Sequence, residues 1–312
     1  MKYAIFSDIH GNSFALKAAL ADAEKYGVDK FLMLGDYYSP FPWGDEVIDI
    51  IRGIDSAVVV RGNGEGYLTN LHGQDQKEWI YEQFKPIYWG YRMLKPENLE
   101  YLLMLPDNIT ISDDGLDINL THLLKIFFRN RKIKYFHNST FRIFLEQEKK
   151  TYISHEEYLK CAREELLSLP DVLEEINALP KGIYLFGHNH MQFYVEYNGR
   201  IFINPGSCGS SCDYDPTASY TILEISGDNL NIIERRISYD INLTVGKLRE
   251  SDFTAGAPEW SRIIEKQLIT GKDYFGTFVM YLTVIGKELG QTEFPVSNYI
   301  FEEAVRKWDW EL

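Results

Sequence analysis

The chain has 312 residues, 45% of them hydrophobic, and a formal net charge of -14. Such a length can bury a sizeable core, whereas the negative charge argues against a generic nucleic-acid binder or a binder of anionic membranes, because both need a positive field. No apolar run reaches membrane-spanning length, no signal-peptide pattern precedes the first predicted strand, and three cysteines are too few for a disulfide framework. We therefore expect a cytoplasmic protein.

Three strand, loop and helix units open the chain. Short apolar runs predict strands at 2–6, 30–34 and 57–60, and helical spacing of apolar residues predicts helices at 14–24 and 46–53. Successive units of this kind imply parallel strands joined by right-handed crossovers. The carboxyl ends of these strands then meet at one edge of the sheet, which is where open α/β folds place their chemistry.

Polar residues follow each of these strands. Asp8 and His10 follow the first strand, Asp36 the second and Asn63 the third. We expect Asp8 and His10 to point the same way, because side chains two residues apart share a face while the backbone stays extended. A carboxylate and an imidazole on one edge can hold a hard or borderline divalent cation. Asn12 is expected to cap the helix that begins after a sharp turn.

The second half of the predicted sheet structure leads to histidines. A helical and aromatic stretch over 68–105 is followed by a hairpin of 108–111 and 116–120, which leads into His122. Another buried strand leads into the sequence Gly187-His188-Asn189-His190. The remaining predictions are strands at 182–186, 192–197, 200–203, 219–225 and 231–237, and helices at 154–178, 259–269, 276–289 and 297–310.

The charge of the sequence reverses locally after His122. Residues 123–145 contain no acidic residue but several lysines and arginines among aromatic residues. One hypothesis is a cap-like insertion, about residues 123–150, in which Arg129 and Arg131 bind substrate phosphates and an aromatic ring stacks on a base. The alternative is a solvated surface hairpin or helix.

The polar motifs occur in the order Asp-X-His, Gly-Asp, Gly-Asn, His and Gly-His-X-His. This order resembles the calcineurin-like metallophosphoesterase superfamily over roughly residues 1–240, in particular its small bacterial and archaeal phosphodiesterase branch. The resemblance implies an α/β fold, namely a four-layer α-β-β-α sandwich of two mixed β-sheets flanked by helices. It also implies a dinuclear metal centre at the carboxyl ends of the strands.

The resemblance further implies a ligand set of seven residues. The first metal would be held by Asp8, His10 and His190, the second by Asn63, His122 and His188, and Asp36 would bridge the two. Two cations about 3.5 to 4 Å apart can share a hydroxide, and this metal-bridging hydroxide, held through Asp36, would be the nucleophile. Mixed imidazole and oxygen ligands suit divalent or trivalent manganese, iron or zinc.

Two positions depart from the family pattern. Many members have a histidine after Gly-Asn that is a proposed general acid for the leaving group, whereas this sequence has Gly64. Members of the phosphodiesterase branch also lack that histidine, which suggests substrates with good leaving groups, such as aryl esters or nucleotide polyphosphates. Leu123 stands where the family usually has glycine after the metal-binding histidine.

The sequence therefore predicts a dinuclear, metal-dependent phosphoesterase for a small phosphorylated substrate, with a phosphodiester or nucleotide polyphosphate favoured. Asn12, Arg61 and Tyr38 are further candidate substrate contacts. The alternatives are a Ser/Thr protein phosphatase, a phosphomonoesterase, or a non-catalytic scaffold with this fold. Residues 241–312 are predicted to form a helical extension packed on the core of residues 1–240, with a homodimer interface or a cover over the site as alternatives.

Overall fold

The computed structural model describes residues 1–127, 154–227 and 229–310. Most of the predicted cap-like insertion, including Arg129 and Arg131, lies outside the described residues. Among those that are described, no helix combines the length and the apolar character needed to cross a membrane.

The described residues form ten strands, twelve α-helices and three short 3₁₀ turns. The strands are β1 (Lys2–Phe6), β2 (Lys30–Met33), β3 (Ala57–Val59), β4 (Asn108–Asp113), β5 (Leu116–Thr121), β6 (Gly182–Leu185), β7 (Gln192–Tyr197), β8 (Arg200–Pro205), β9 (Ala218–Ser226) and β10 (Asn229–Ile237). The helices are α1 (Ser13–Tyr26), α2 (Gly44–Arg52), α3 (Asn63–Leu71), α4 (Lys85–Met93), α5 (Pro96–Met104), α6 (His155–Ser168), α7 (Pro170–Ala178), α8 (Ile241–Arg249), α9 (Asp252–Gly256), α10 (Pro258–Thr270), α11 (Tyr274–Glu288) and α12 (Asn298–Lys307). The 3₁₀ turns are Gln76–Glu78, Glu82–Phe84 and Leu124–Ile126.

The strands form two mixed five-stranded sheets. The first has the order β10-β9-β1-β2-β3, and the second has the order β4-β5-β6-β8-β7. Strands β1, β2 and β3 are parallel, as are β5, β6 and β8. Strands β9 and β10 of the first sheet and β4 and β7 of the second pair antiparallel with their neighbours. The carboxyl ends of three parallel strands in each sheet are therefore available to build one site.

Side-chain alternation along the strands produces the layers. In β1, Tyr3 and Ile5 pack between the two sheets with residues such as Ile183 of β6, whereas Ala4 and Phe6 face the helices. Helices α1, α2, α3 and α5 cover the outer face of the first sheet, and α6 and α7 cover that of the second. Because both faces of the central strands are buried, their sequences are continuously apolar. The structure confirms the predicted four-layer α/β sandwich.

The helices after residue 240 share a separate apolar cluster. Trp260 of α10 is fully buried at its centre, and Phe41, from the loop after β2, belongs to the same cluster. Helices α8 and α9 were not among the predicted elements, and they are short, with nine and five residues. The division of the chain at residue 240 remains a prediction.

Candidate metal centre

The loops that follow β1 and β2 are joined by backbone hydrogen bonds. The Asp8 and His10 N–H groups donate to the carbonyls of Gly35 and Asp36 at 3.0 and 2.8 Å. The second sheet contributes in the same way, since the N–H of Gly187, after β6, donates to the His122 carbonyl, after β5, at 3.0 Å. The strand ends therefore hold the candidate ligands through main-chain contacts between neighbouring loops.

Five of the candidate ligands have left-handed backbone conformations. Their φ angles are 53° for Asp8, 55° for His10, 58° for Asp36, 74° for His188 and 59° for His190. The expectation that Asp8 and His10 point the same way along extended backbone is therefore wrong, because β1 ends at Phe6 and both residues lie in the turn beyond it. Left-handed non-glycine residues cost about 1 to 3 kcal/mol each and concentrate at functional sites.

The structure brings six of the seven predicted ligands into two candidate metal-binding groups. Asp8, His10 and His190 form the first group and Asp36, His122 and His188 form the second, with the ligand atoms of each group within 4.8 Å of one another. The seventh residue, Asn63, joins the second group, since its Oδ1 lies 3.0 Å from His122 Nε2.

Asp36 lies between the two groups. Its Oδ2 atom is 3.8 Å from His10 Nε2, in the first group, and 3.4 Å from His122 Nε2, in the second. Its other oxygen, Oδ1, accepts the Gly64 N–H at 2.6 Å. One oxygen is thus fixed by the main chain while the other faces histidines of both groups.

Three histidines are oriented by backbone carbonyls. The Nδ1 atoms of His10, His122 and His190 lie 2.5, 2.9 and 2.6 Å from the carbonyl oxygens of Ser39, Leu34 and Ser210. A carbonyl only accepts hydrogen bonds, so each Nδ1 carries a proton, and in the neutral form of each ring the lone pair of Nε2 is directed at the site. This arrangement is typical of metal-ligating histidines.

The Asp8 carboxylate provides a test of whether a cation fits. Asp8 is fully buried, and its Oδ2 accepts the His188 N–H at 3.0 Å. Its Oδ1 is buried without a hydrogen-bond partner and lies 3.3 Å from His190 Nε2. A buried carboxylate oxygen surrounded by imidazole nitrogens needs a positive partner. The residues present therefore fit a metal ion.

The charges of the site favour a cation as well. Burial alone would raise the pKa of Asp36 and lower the pKa of His122, but their attraction outweighs burial, so the pKa of Asp36 falls to about 2 and the pKa of His122 rises to about 9. Burial would also raise the pKa of Asp8, yet His190 and His122 hold it well below its usual value. Burial and the adjacent His122 lower the pKa of His188 to about 4. Both carboxylates thus stay ionised at neutral pH.

Glu65 is a functional residue that the sequence analysis missed. Its buried carboxylate accepts the N–H groups of Asp36, Tyr37 and Gly62 at 2.9, 2.9 and 2.7 Å. It therefore fixes the loop that presents Asp36 against the start of α3. A glutamate three residues after the N-cap residue is one half of a capping box, since its carboxylate accepts the N–H of the N-cap residue Gly62, and this spacing could have identified it.

The predicted substrate contacts occupy different environments. Asn12 is fully buried, caps α1 through the Ala15 N–H, and donates to Gly209 and Tyr239, so its hydrogen-bonding groups are used within the fold. Arg61 forms an ion pair with Asp107 at 2.6 Å. A phosphate contact for either residue stays a prediction. Tyr38, Arg129 and Arg131 remain predictions, and the two arginines lie outside the described residues.

A cleft of about 370 Å³ opens from the two groups. His10, Asp36, Asn63, His188 and His190 form one end of it. Tyr38 also lines the cleft, and its buried hydroxyl has no hydrogen-bond partner. The remaining walls include side chains of α3, α4, α10 and α11. The helices after residue 240 therefore form part of the cleft. Of the three alternatives given for them, this position is the one expected of a cover over the site.

Comparison with known proteins agrees with this arrangement. A model of the calcineurin-like phosphoesterase superfamily domain matches residues 1–228. The chain belongs to this superfamily. Membership in the calcineurin-like phosphoesterase superfamily supports a hydrolase that acts on phosphate esters, and it confirms the family predicted from the strand-end motifs.

Individual relatives extend the likeness beyond the matched region. An uncharacterised protein of Methanocaldococcus jannaschii is 26% identical in an alignment of 276 residues that covers 82% of this chain and 94% of the relative. The crystal structure of a metallophosphoesterase from Sphaerobacter thermophilus has a TM-score of 0.59 and 24% identity, covering 87% of this chain and 100% of its own. A hypothetical protein from Pyrococcus horikoshii has a TM-score of 0.56 and 16% identity, covering 86% and 98%. The likeness to these structures concerns the fold.

Proposed function

We propose that this protein is a dinuclear, metal-dependent phosphoesterase that acts preferentially on phosphodiesters. The observation that carries the proposal is the position of Asp36, whose Oδ2 faces one histidine of each candidate metal-binding group. A carboxylate in that position can bind both metals and offset the repulsion between them. Manganese, iron and zinc all suit the mixed oxygen and imidazole ligand set.

The residues of this chain would bind the metal ions and keep the ligands oriented. When bound, two metal ions supply an activated water and a positive clamp for the phosphate oxygens. Asp8, His10 and His190 would hold one ion, and His122, His188 and Asn63 the other. The carbonyls behind the three histidines keep their Nε2 atoms directed at the site, and Glu65 keeps the Asp36 loop in place.

The cleft favours esters whose leaving group departs without being protonated by the protein. Gly64 lines the cleft at the position where a histidine would serve as general acid, and its N–H is already bonded to Asp36. No lysine or arginine occurs among the described residues that line the cleft. A phosphodiester carries one negative charge, whereas a monoester at neutral pH carries two, so the diester needs less positive charge from the cleft.

The test compares two aryl phosphates with one leaving group. The purified protein, loaded with manganese and assayed for metal content, is given bis(p-nitrophenyl) phosphate or p-nitrophenyl phosphate. We expect kcat/KM for the diester to exceed that for the monoester by at least about tenfold, and chelation to abolish both activities. Preference for the monoester would contradict the diester assignment. Activity on neither ester with both metals bound would favour a non-catalytic scaffold.

A further inference from the structure

Apolar side chains form a wall of the same cleft that the candidate ligands line. Phe275, Val279 and Met280 of α11 form one part of it, and Tyr67 of α3 and Ile87 of α4 form another. Residues 275 and 279 are four apart, as are 276 and 280, so one face of the first turns of α11 is directed into the cleft. The wall therefore combines helices from two distant parts of the chain.

The α11 part of the wall is held in place by contacts within the fold. Asp273 caps the helix by accepting the Gly276 N–H at 2.7 Å. The Phe275 ring lies 4.9 Å from the ring of the fully buried Trp260, and the Phe275 N–H donates to Gln267 Oε1 at 3.0 Å. A preformed surface of this kind binds an apolar group without a large ordering cost.

The charges of the described lining residues are unsuited to a second phosphate. Apart from the histidines, the ionisable side chains with a formal charge that line the cleft are Asp36 and Asp273, both acidic. An additional phosphate group next to the metal-bound one would meet negative charge and an apolar surface there. An uncharged ring or branched apolar chain would instead pass from water to an apolar surface, and this transfer is favourable.

Building on the proposed phosphodiesterase function, we propose that this cleft selects phosphodiesters whose non-leaving substituent is an uncharged aromatic or branched apolar group. That substituent packs against Phe275, Val279 and Met280 while the phosphate lies at the candidate metal-binding groups. The wall formed by α11 thereby sets substrate specificity, and the residues at the strand ends set the reaction.

Two substrates with the same leaving group distinguish the effect of the wall on binding from the hydrolysis itself. Phenyl p-nitrophenyl phosphate and methyl p-nitrophenyl phosphate share one leaving group and one charge and differ in the other substituent. We expect kcat/KM of the manganese-loaded protein to be at least about tenfold higher for the phenyl ester, as expected when a pocket accepts a larger apolar group. Diphenyl phosphate should also bind more tightly than dimethyl phosphate by a similar factor in calorimetric titrations.

Variants of α11 test whether this helix causes the preference for the phenyl ester. Val279→Ala and Met280→Ala should each lower the phenyl-to-methyl ratio of kcat/KM at least about threefold, because each removes apolar surface from the wall. Phe275→Leu keeps apolar bulk and should retain most of the preference. Val284→Ala is the matched control, because Val284 lies on the same helix, is 47% exposed and does not line the cleft. Thermal unfolding confirms that each variant is folded.

The outcomes distinguish this inference from the function on which it rests. An equal kcat/KM for the two esters in the wild-type protein, or a ratio that Val279→Ala and Met280→Ala leave unchanged, would overturn the role of the wall while leaving the phosphodiesterase intact. Higher kcat/KM for a nucleotide polyphosphate than for the phenyl ester would also overturn it. Hydrolysis of neither ester by the metal-loaded protein would count against the proposed function itself.

Discussion

Asp36 lies where the two candidate metal-binding groups meet, and its surroundings distinguish its two oxygens. Oδ1 is bonded to the Gly64 N–H, whereas Oδ2 faces histidines of both groups. The backbone leaves no room for a side chain beside it, since a Cβ added at Gly62 would lie 2.1 Å from Oδ1. The carboxylate therefore has one orientation, which the main chain imposes.

Replacing Asp36 with asparagine tests its proposed bridging role. Asp36→Asn keeps an oxygen for the Gly64 N–H but removes the negative charge between the groups. We expect turnover to fall at least about a hundredfold and at least one metal to bind more weakly, measured by steady-state kinetics and metal analysis. The control is Asp107→Asn, the same chemical change at an exposed residue. Near-normal activity of Asp36→Asn would refute the assignment.

The adjacent tyrosines, Tyr37 and Tyr38, differ in how their hydroxyls are used. The Tyr37 hydroxyl donates to the Val60 carbonyl at 2.6 Å and accepts the Gly35 N–H at 2.8 Å. The Tyr38 hydroxyl is buried at the cleft without a hydrogen-bond partner. An unused hydroxyl at a cleft is available to a substrate.

We expect Tyr38→Phe to raise KM several-fold without loss of stability, because the hydroxyl that it removes has no partner in the fold. Tyr37→Phe should instead destabilise the fold. We expect it to lower the free energy of unfolding by about 1 to 3 kcal/mol, because it leaves buried backbone groups unpaired. Denaturant unfolding and kinetics on the same diester check both variants. An unchanged KM for Tyr38→Phe would remove Tyr38 from the substrate contacts.

The identity of the candidate ligands could be predicted from sequence, but their geometry could not. Polar residues directly after apolar strands indicate a site, because parallel strands bring their carboxyl ends together. The left-handed conformations of Asp8 and His10 depend on bonds to the loop after β2. The partners of the histidine Nδ1 atoms are backbone carbonyls, such as that of Ser210, and these leave no residue signature in the sequence.

Helix α10 is linked to the candidate ligands through one buried side chain. Gln267 Nε2 donates to Ser210 Oγ at 2.6 Å, and the Ser210 carbonyl lies 2.6 Å from His190 Nδ1. Gln267 Oε1 also accepts the Phe275 N–H at the start of α11. A single amide thus connects two C-terminal helices with the loop that orients His190.

We expect Gln267→Leu to weaken the metal-binding group that contains His190 more than the group that contains His122. The leucine would leave the Ser210 hydroxyl and the Phe275 N–H without this partner, so the free energy of unfolding should also fall by about 1 to 3 kcal/mol. Competitive metal titrations and denaturant unfolding measure the two effects. Ile269→Ala, on the exposed side of α10, is the control. Equal weakening of both groups would contradict this coupling.

The strength of the local pattern decided which elements could be predicted. The hairpin of β7 and β8 turns at Asn198 and Gly199, both with positive φ, as their sequence indicates. The predicted helix over 154–178 is interrupted at Leu169, because Pro170 begins a second helix. The contribution of α11 to the cleft has no local signal, since it depends on how distant helices pack.

At the scale of the molecule, the candidate ligands come from both sheets. Asp8, His10, Asp36 and Asn63 follow strands of the first sheet, and His122, His188 and His190 follow strands of the second. Any ion held by His10 and His190 would therefore be bound by both halves of the sandwich. Metal binding should stabilise the packing of one sheet against the other.

We expect metal to raise stability and to displace protons. At a free metal concentration 100 times Kd, the free energy of unfolding should increase by about 2.7 kcal/mol. Because the pKa of His122 in the metal-free protein is raised to about 9, this imidazole carries a proton at pH 7.5 that a metal ion must displace. Calorimetric titration in buffers of different ionisation enthalpy measures that release, and its absence would contradict the raised pKa.

The same pKa fixes the sign of the pH dependence without metal. Because the pKa of His122 is higher in the folded state, protonation of His122 stabilises the fold. This contribution is fully present below the unfolded pKa near 6.5 and is lost as the pH rises toward 9. Thermal unfolding in chelator should therefore show a falling contribution between about pH 6.5 and 9. His122→Gln should flatten this trend, and an unchanged slope would assign it to other groups.

The wall formed by α11 lies beyond the part of the chain that the superfamily model matches. The superfamily match ends at residue 228, and all seven candidate ligands precede that point, whereas Phe275, Val279 and Met280 follow it. If this wall selects the substrate as proposed, substitutions at Phe275, Val279 and Met280 change the substrate and leave the seven candidate ligands in place. Comparison restricted to residues 1–228 would then place chains with different walls in one group.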